Sequence, residues 1–116
     1  MLLVEDDGEI ASSLRILLRF LGYDVRAAHN LEEAKKQLRP DLACILLDLI
    51  LPDGDGCEVM QLAQERRISA PFVVVTGTQD DALLERVNSF GPDRLIRKPA
   101  PYTEIVDTME AVLRSE

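Results

Sequence analysis

Short apolar runs alternate with helix-like segments along the chain, and this alternation restricts the fold more than any other feature. In the first helix-like segment, Ile10, Leu14 and Leu18 recur at the spacing of one helical face. The runs predict five strands, at about residues 1–5, 23–28, 42–48, 72–76 and 95–97. The periodic segments predict five helices, at about residues 7–21, 56–67, 80–90 and 103–114 and between the helix cap Asn30 and Pro40.

Five strands joined to five helices by short connections predict an α/β fold with a parallel sheet and right-handed crossovers. The third and fourth strands are apolar almost throughout, which is typical of strands covered by helices on both faces. Ligands of such sheets bind outside the carboxyl ends of the strands, where the strand order reverses.

The third apolar run ends in a carboxylate, Asp48, and only afterwards reaches a proline and a turn. An acid at the rim of a hydrophobic sheet is expensive to desolvate unless its charge is used there. Other polar residues also follow predicted strands: Glu5 and Asp6 the first, Thr76 the fourth and Lys98 the fifth. Because the carboxyl ends of parallel strands share one edge, we expect these side chains to meet.

That set of side chains has a chemistry. Three crowded carboxylates repel one another and favour a hard divalent cation with oxygen ligands. A lysine and a hydroxyl group can hold anionic oxygens opposite them. A carboxylate nucleophile, Mg²⁺, a cation and a hydroxyl donor are the parts needed to transfer a phosphoryl group, with an aspartyl phosphate on Asp48 as the product.

Composition excludes several other classes of protein. The 116 residues, 47% of them hydrophobic, suit one globular domain. The formal charge of −8 argues against direct nucleic-acid binding, since phosphate backbones need a basic face. No apolar stretch is long enough to span a membrane and no signal peptide is recognisable, so we expect a cytoplasmic location without membrane binding.

The sequence closely resembles the receiver domains of bacterial response regulators, the phosphoacceptors of two-component signalling. The strings LLVEDD, PDLACILLDLILPDGDG, VVVTG and IRKP each match a family motif, in the right order. The resemblance covers essentially the whole chain and implies one receiver domain, residues 1–116, standing alone or excised from a longer regulator. It also implies a flavodoxin-like, doubly wound, five-stranded parallel sheet of order 2-1-3-4-5 with helices on both faces.

The resemblance assigns roles residue by residue. Asp48 is the implied phosphoacceptor and a ligand of Mg²⁺. Glu5 and Asp6 are the implied acidic pair serving the cation, and the backbone carbonyl of Ile50 is a further implied metal ligand.

The remaining implied roles concern the phosphoryl group and the switch. Thr76 would bind a phosphoryl oxygen, and Lys98 would pair with the phosphate. The Lys98–Pro99 bond is expected to be cis, as in relatives, which turns the lysine back toward the site. Thr76 and the residue at position 95 would form the output switch, but Leu95 stands where relatives usually have an aromatic residue. Ala100 likewise replaces a common Phe.

The resemblance further implies partners and an activity. A sensor histidine kinase or a phosphotransfer protein would donate the phosphoryl group, and a homodimer is compatible with the family. The domain would be no enzyme in the usual sense, catalysing only its own phosphorylation and dephosphorylation. The alternative is a receiver-like interaction domain that does not depend on phosphorylation, which Leu95 keeps open.

Other functions fit the residues less well. A hydrolase with a nucleophilic aspartate would need a second acid at Ile50, and a flavin-binding module would place phosphate against the acids of residues 5–7. Residues 53–56 imitate a calcium loop without the later ligands, so we interpret them as a loop entering the third helix. For Asp7 we prefer a helix cap to a metal ligand.

Overall fold

The computed structural model describes residues 1–115 and contains a five-stranded parallel sheet with a separate two-stranded hairpin. The sheet has the order β2-β1-β3-β6-β7, and all four of its strand pairs are parallel. Its strands are β1 (Leu2–Val4), β2 (Arg26–Ala28), β3 (Ile45–Leu47), β6 (Phe72–Thr76) and β7 (Arg94–Arg97). The hairpin consists of β4 (Ile50–Leu51) and β5 (Gly54–Asp55).

This topology confirms the predicted doubly wound sheet. The five predicted strands are all present, in the predicted order 2-1-3-4-5 when the hairpin is left out of the count. The hairpin itself was not predicted. Three strands, β1, β2 and β3, are shorter than expected. The later starts of β2 and β3 have local causes: Tyr23 N–H donates to Leu18 C=O and closes the preceding helix, while Leu42 N–H donates to Arg39 C=O in a turn.

Five α-helices connect the strands: α1 (Gly8–Phe20), α2 (Leu31–Lys36), α3 (Cys57–Glu65), α4 (Asp81–Ser89) and α5 (Tyr102–Ser115). Asp7 caps α1 through hydrogen bonds from two backbone N–H groups, and Asn30 and Asp80 cap α2 and α4. These contacts confirm the prediction for Asp7. The prediction that Pro40 ends the second helix was wrong, because α2 already stops at Lys36.

Apolar side chains pack against both faces of the sheet, as the sequence of the central strands predicts. One core lies between the sheet and α2, α3 and α4; the other lies between the sheet and α1 and α5. Alternate residues of β6 serve the two cores: Phe72 and Val74 the first, Val73 and Val75 the second. In the described residues, 1–115, no helix is long and apolar enough to cross a membrane.

The turn into α3 packs directly on the strand end that carries Asp48. A Cβ added at Gly56 would lie 2.5 Å from the Asp48 carbonyl oxygen and 3.2 Å from the Leu47 side chain. The nearest atom belongs to the backbone, so a side chain there forces the strand end or the hairpin to move. Only glycine therefore lets the chain turn so closely past the end of β3.

We predict that Gly56→Ala destabilises the fold by about 1–3 kcal/mol, the usual cost of overpacking. Gly8→Ala is the matched control, because a Cβ at Gly8 meets nothing within 4 Å. Its stability should be unchanged or slightly higher, since alanine is the better helix former. Denaturant unfolding of the three proteins measures this, and equal stability of Gly56→Ala and wild type would refute the packing argument.

Candidate functional site

Two neighbouring strands bring Glu5 and Asp48 together at the carboxyl edge of the sheet. In the register of β1 and β3, Val4 lies opposite Leu47, so the residues that follow both strands are neighbours. Asp48 N–H donates to Val4 C=O at 3.0 Å, which continues the pairing beyond β3. Both side chains are buried, Glu5 with 4% and Asp48 with 7% of its surface exposed.

Lys98 reaches these two acids from the end of the edge strand β7. Its backbone N–H donates to Thr76 C=O at 2.8 Å, which fixes the chain just beyond β7. The following Lys98–Pro99 peptide bond is cis, as the resemblance implies. Lys98 Nζ lies 3.1 Å from Asp48 Oδ2 and 3.4 Å from both Glu5 carboxylate oxygens.

The remaining predicted site residues lie around this cluster. Thr76 ends β6 fully buried, and its hydroxyl oxygen accepts a hydrogen bond from Thr78 N–H at 3.2 Å. Ile50 opens the hairpin, and its N–H donates to Asp48 Oδ1 at 3.3 Å while its side chain is exposed. Leu95 in β7 is half-buried and packs against the core beside α2, α3 and α4.

Burial and like charge shape the electrostatics of the cluster. Burial, and then the nearby Asp48 carboxylate, raise the pKa of Glu5 to about 7, although Lys98 partly opposes this. Burial by itself would lower the pKa of Lys98, but the charges of Asp48 and Glu5 outweigh it and raise that pKa. One ammonium therefore faces two buried carboxylates, and its single positive charge does not balance both of them.

A divalent cation could balance the remaining negative charge of this cluster. Glu5, Asp6 and Asp48 each offer a carboxylate oxygen, and these oxygens lie within 4.8 Å of one another. Asp6 is exposed, so the cluster opens to solvent on one side while Glu5 and Asp48 are buried behind it. An all-oxygen, acidic and solvent-accessible set of this kind suits Mg²⁺, which prefers carboxylates and keeps several waters.

The hairpin contains two acidic residues whose structural roles the sequence did not reveal. Both carboxylate oxygens of Asp53 accept hydrogen bonds from the first turn of α2, from Leu31 N–H at 2.8 Å and Glu32 N–H at 3.2 Å. These bonds, with that from Leu31 first, hold the pKa of Asp53 below its usual value. Asp55 accepts a hydrogen bond at 2.9 Å from the N–H of Cys57, the first residue of α3, and also pairs with Arg86. The loop after Asp48 is thus attached to three helices.

The fold and the site define an α/β domain with an acid–lysine cluster at the carboxyl edge of its sheet. A sequence profile described as the response regulator receiver domain matches residues 1–110, and the chain belongs to this family. Members of the family take the phosphoacceptor role in two-component signalling, so the chain is a signalling domain rather than a classical enzyme.

Individual relatives agree with this assignment. Response regulator MprA of Mycobacterium ulcerans is 35% identical, with 98% of this chain and 50% of that protein covered. The non-phosphorylated HemR receiver domain from Leptospira biflexa is 30% identical, with a TM-score of 0.89 over 97% of this chain and 91% of that one. A Burkholderia pseudomallei response regulator, solved with a phosphorylated aspartic acid, calcium ion and citrate, is 26% identical, with a TM-score of 0.80 over 98% and 68%. The chain spans about half the length of the curated relatives it matches.

We predict that Asp6→Asn weakens Mg²⁺ binding while the fold survives or is stabilised, because one carboxylate fewer relieves repulsion in the metal-free cluster. Thermal melts with and without Mg²⁺ report both effects. An affinity about tenfold weaker removes about 1.4 kcal/mol of the stabilisation that excess Mg²⁺ provides.

Asp107→Asn, which changes an exposed acid of α5, is the matched control and should respond to Mg²⁺ as wild type does. The metal assignment for Asp6 is wrong if Asp6→Asn melts below wild type and keeps the full Mg²⁺ response.

Proposed function

We propose that Asp48 accepts a phosphoryl group from a phosphohistidine donor and that the domain uses this modification to signal. One observation carries the proposal: the buried Asp48 carboxylate lies 3.1 Å from Lys98 Nζ, beside Glu5, at the sheet edge where ligands of this fold bind. A buried acid paired with a lysine suits a nucleophile whose reaction brings in more negative charge, because the lysine offsets part of that charge.

The transfer is an in-line displacement at phosphorus. A carboxylate oxygen of Asp48 forms the new P–O bond, the bond from phosphorus to the donor's nitrogen or oxygen breaks, and the leaving group keeps that electron pair. Lys98 then pairs with an oxygen of the transferred group instead of the free carboxylate. The hydroxyl of Thr76, at the end of the adjacent strand, donates to another phosphoryl oxygen.

Glu5, Asp6 and Asp48 would hold Mg²⁺ through their carboxylates, and Ile50 through its backbone carbonyl. When bound, the cation offsets the negative charge that gathers as the phosphoryl group approaches Asp48. The Burkholderia pseudomallei relative supports this assignment, since its structure combines a phosphorylated aspartic acid with a divalent calcium ion. The burial of Glu5 supports it as well, because a nearby cation lowers the cost of keeping that acid ionised.

The donor we propose is a sensor histidine kinase or a phosphotransfer protein, the partners that response regulators such as MprA imply. A cytoplasmic location and the extent of the domain, residues 1–116, remain predictions. The domain would catalyse only its own phosphorylation and dephosphorylation. The acid–lysine contacts favour this reading over an interaction domain that does not depend on phosphorylation, since such a domain has no use for two buried acids beside one lysine.

We predict that incubation with Mg²⁺ and a small acyl phosphate adds one phosphoryl group to the chain and none to Asp48→Asn. Intact-mass analysis measures the labelling. EDTA should prevent it, because the charge of the incoming group is then not offset.

Asp41→Asn, in which an exposed acid outside the cluster is changed, is the matched control and should be labelled fully. Equal labelling of wild type and Asp48→Asn would overturn the assignment of the phosphoacceptor. Absence of labelling in every protein would favour the interaction domain.

A further inference from the structure

The hairpin that follows Asp48 is built directly on the phosphoacceptor. Ile50 and Asp55 are partners across the two short antiparallel strands. Ile50 N–H donates to Asp48 Oδ1 at 3.3 Å, and Gly56 N–H donates to Leu49 C=O at 2.8 Å. The Asp48 carboxylate is therefore connected to Ile50 by a hydrogen bond and, through the strand pairing, to Asp55.

Asp55 in turn contacts helices α3 and α4. Its Oδ1 accepts from Cys57 N–H at the start of α3, and its Oδ2 lies 3.0 Å from Arg86 Nη1 in α4. The two partners of the ion pair are 31 residues apart and both partly exposed, so α4 is tied to the hairpin from outside the core.

Helix α4 has fewer fully buried residues than α3, so a polar contact has more influence on its position. Val87 is its only fully buried residue among the described ones, whereas α3, of equal length, buries Cys57, Val59, Met60 and Ala63. A helix with few buried apolar contacts lies at the low end of local stability, and its position responds to single polar contacts. The adjacent strand offers no polar alternative at Leu95, whose side chain cannot form a hydrogen bond.

We propose that Arg86 is a positioning residue: its ion pair with Asp55 couples the state of the Asp48 site to helix α4. The inference rests on the proposed function and adds the route by which the site controls a surface. Because coupling is reciprocal, a contact that links α4 to the site also changes the affinity of the site for its occupant. A ligand shifts α4 only through contacts that differ between the two states, and the proposal assigns that role to this ion pair.

The test compares wild type with Arg86→Gln by amide hydrogen exchange, with and without Mg²⁺ and beryllofluoride, a phosphoryl mimic. In wild type, beryllofluoride should change exchange in residues 50–55 and in residues 81–89. In Arg86→Gln the change in the hairpin remains and most of the change in α4 is lost. Exchange of α4 in the ligand-free variant rises about two- to fivefold, and the affinity for beryllofluoride changes by about the same factor.

Lys35→Gln is the matched control. It removes an ion pair between α2 and α3, Lys35 to Glu58 at 3.2 Å, of similar exposure to the pair of Arg86. The response of residues 81–89 should remain as in wild type. Arg86→Lys, which keeps the charge, should preserve more of the response than Arg86→Gln.

Asp55→Asn breaks the same pair from the hairpin side and keeps an oxygen that can accept from Cys57 N–H. It should also lose the response of α4. A full α4 response in Arg86→Gln or Asp55→Asn with bound beryllofluoride, or an equal loss in Lys35→Gln, overturns the coupling and leaves the proposed function standing. Wild type that fails to bind beryllofluoride at all refutes the proposed function, and the coupling with it.

Discussion

The contact on which the rest of this structure depends is that of Lys98 with two buried carboxylates. Glu5 and Asp48 lie side by side at the end of the sheet, and one ammonium group reaches both. Burying two acids without compensation would be costly, and one lysine compensates only part of that charge. Burial, together with the neighbouring Asp48 carboxylate, raises the pKa of Glu5 to about 7, and the uncompensated negative charge suits a bound cation.

The parallel sheet makes this arrangement possible. Strands β1, β3 and β6 lie next to one another, so residues that are far apart in the chain all follow strands that end at one edge. Backbone pairing continues past the strand ends, from Asp48 N–H to Val4 C=O and from Lys98 N–H to Thr76 C=O. The side chains of the cluster therefore stand on rigid elements, and the cores on both faces of the sheet hold those elements in place.

The sequence predicted the sheet and the acid–lysine cluster because both follow from local patterns. Apolar runs indicate buried strands, and a polar residue that follows such a run lies at the carboxyl edge of the parallel sheet. The hairpin was missed because each of its strands is only two residues long and shows no alternation of apolar and polar residues. The contacts of Asp53 with α2 and of Asp55 with Arg86 join residues 22 and 31 positions apart, and nothing in the local sequence marks the partners. The prediction that Pro40 ends the second helix was wrong, because α2 ends at Lys36.

The most direct test of the account locates the phosphoryl group chemically. Borohydride reduces an aspartyl phosphate to the alcohol, homoserine, and leaves a free carboxylate unchanged, so the modified position can be identified by peptide mass mapping. After treatment with Mg²⁺ and acyl phosphate, the account predicts homoserine at position 48 and unchanged carboxylates at Glu5 and Asp6. Conversion at another acid, with Asp48 intact, would contradict it.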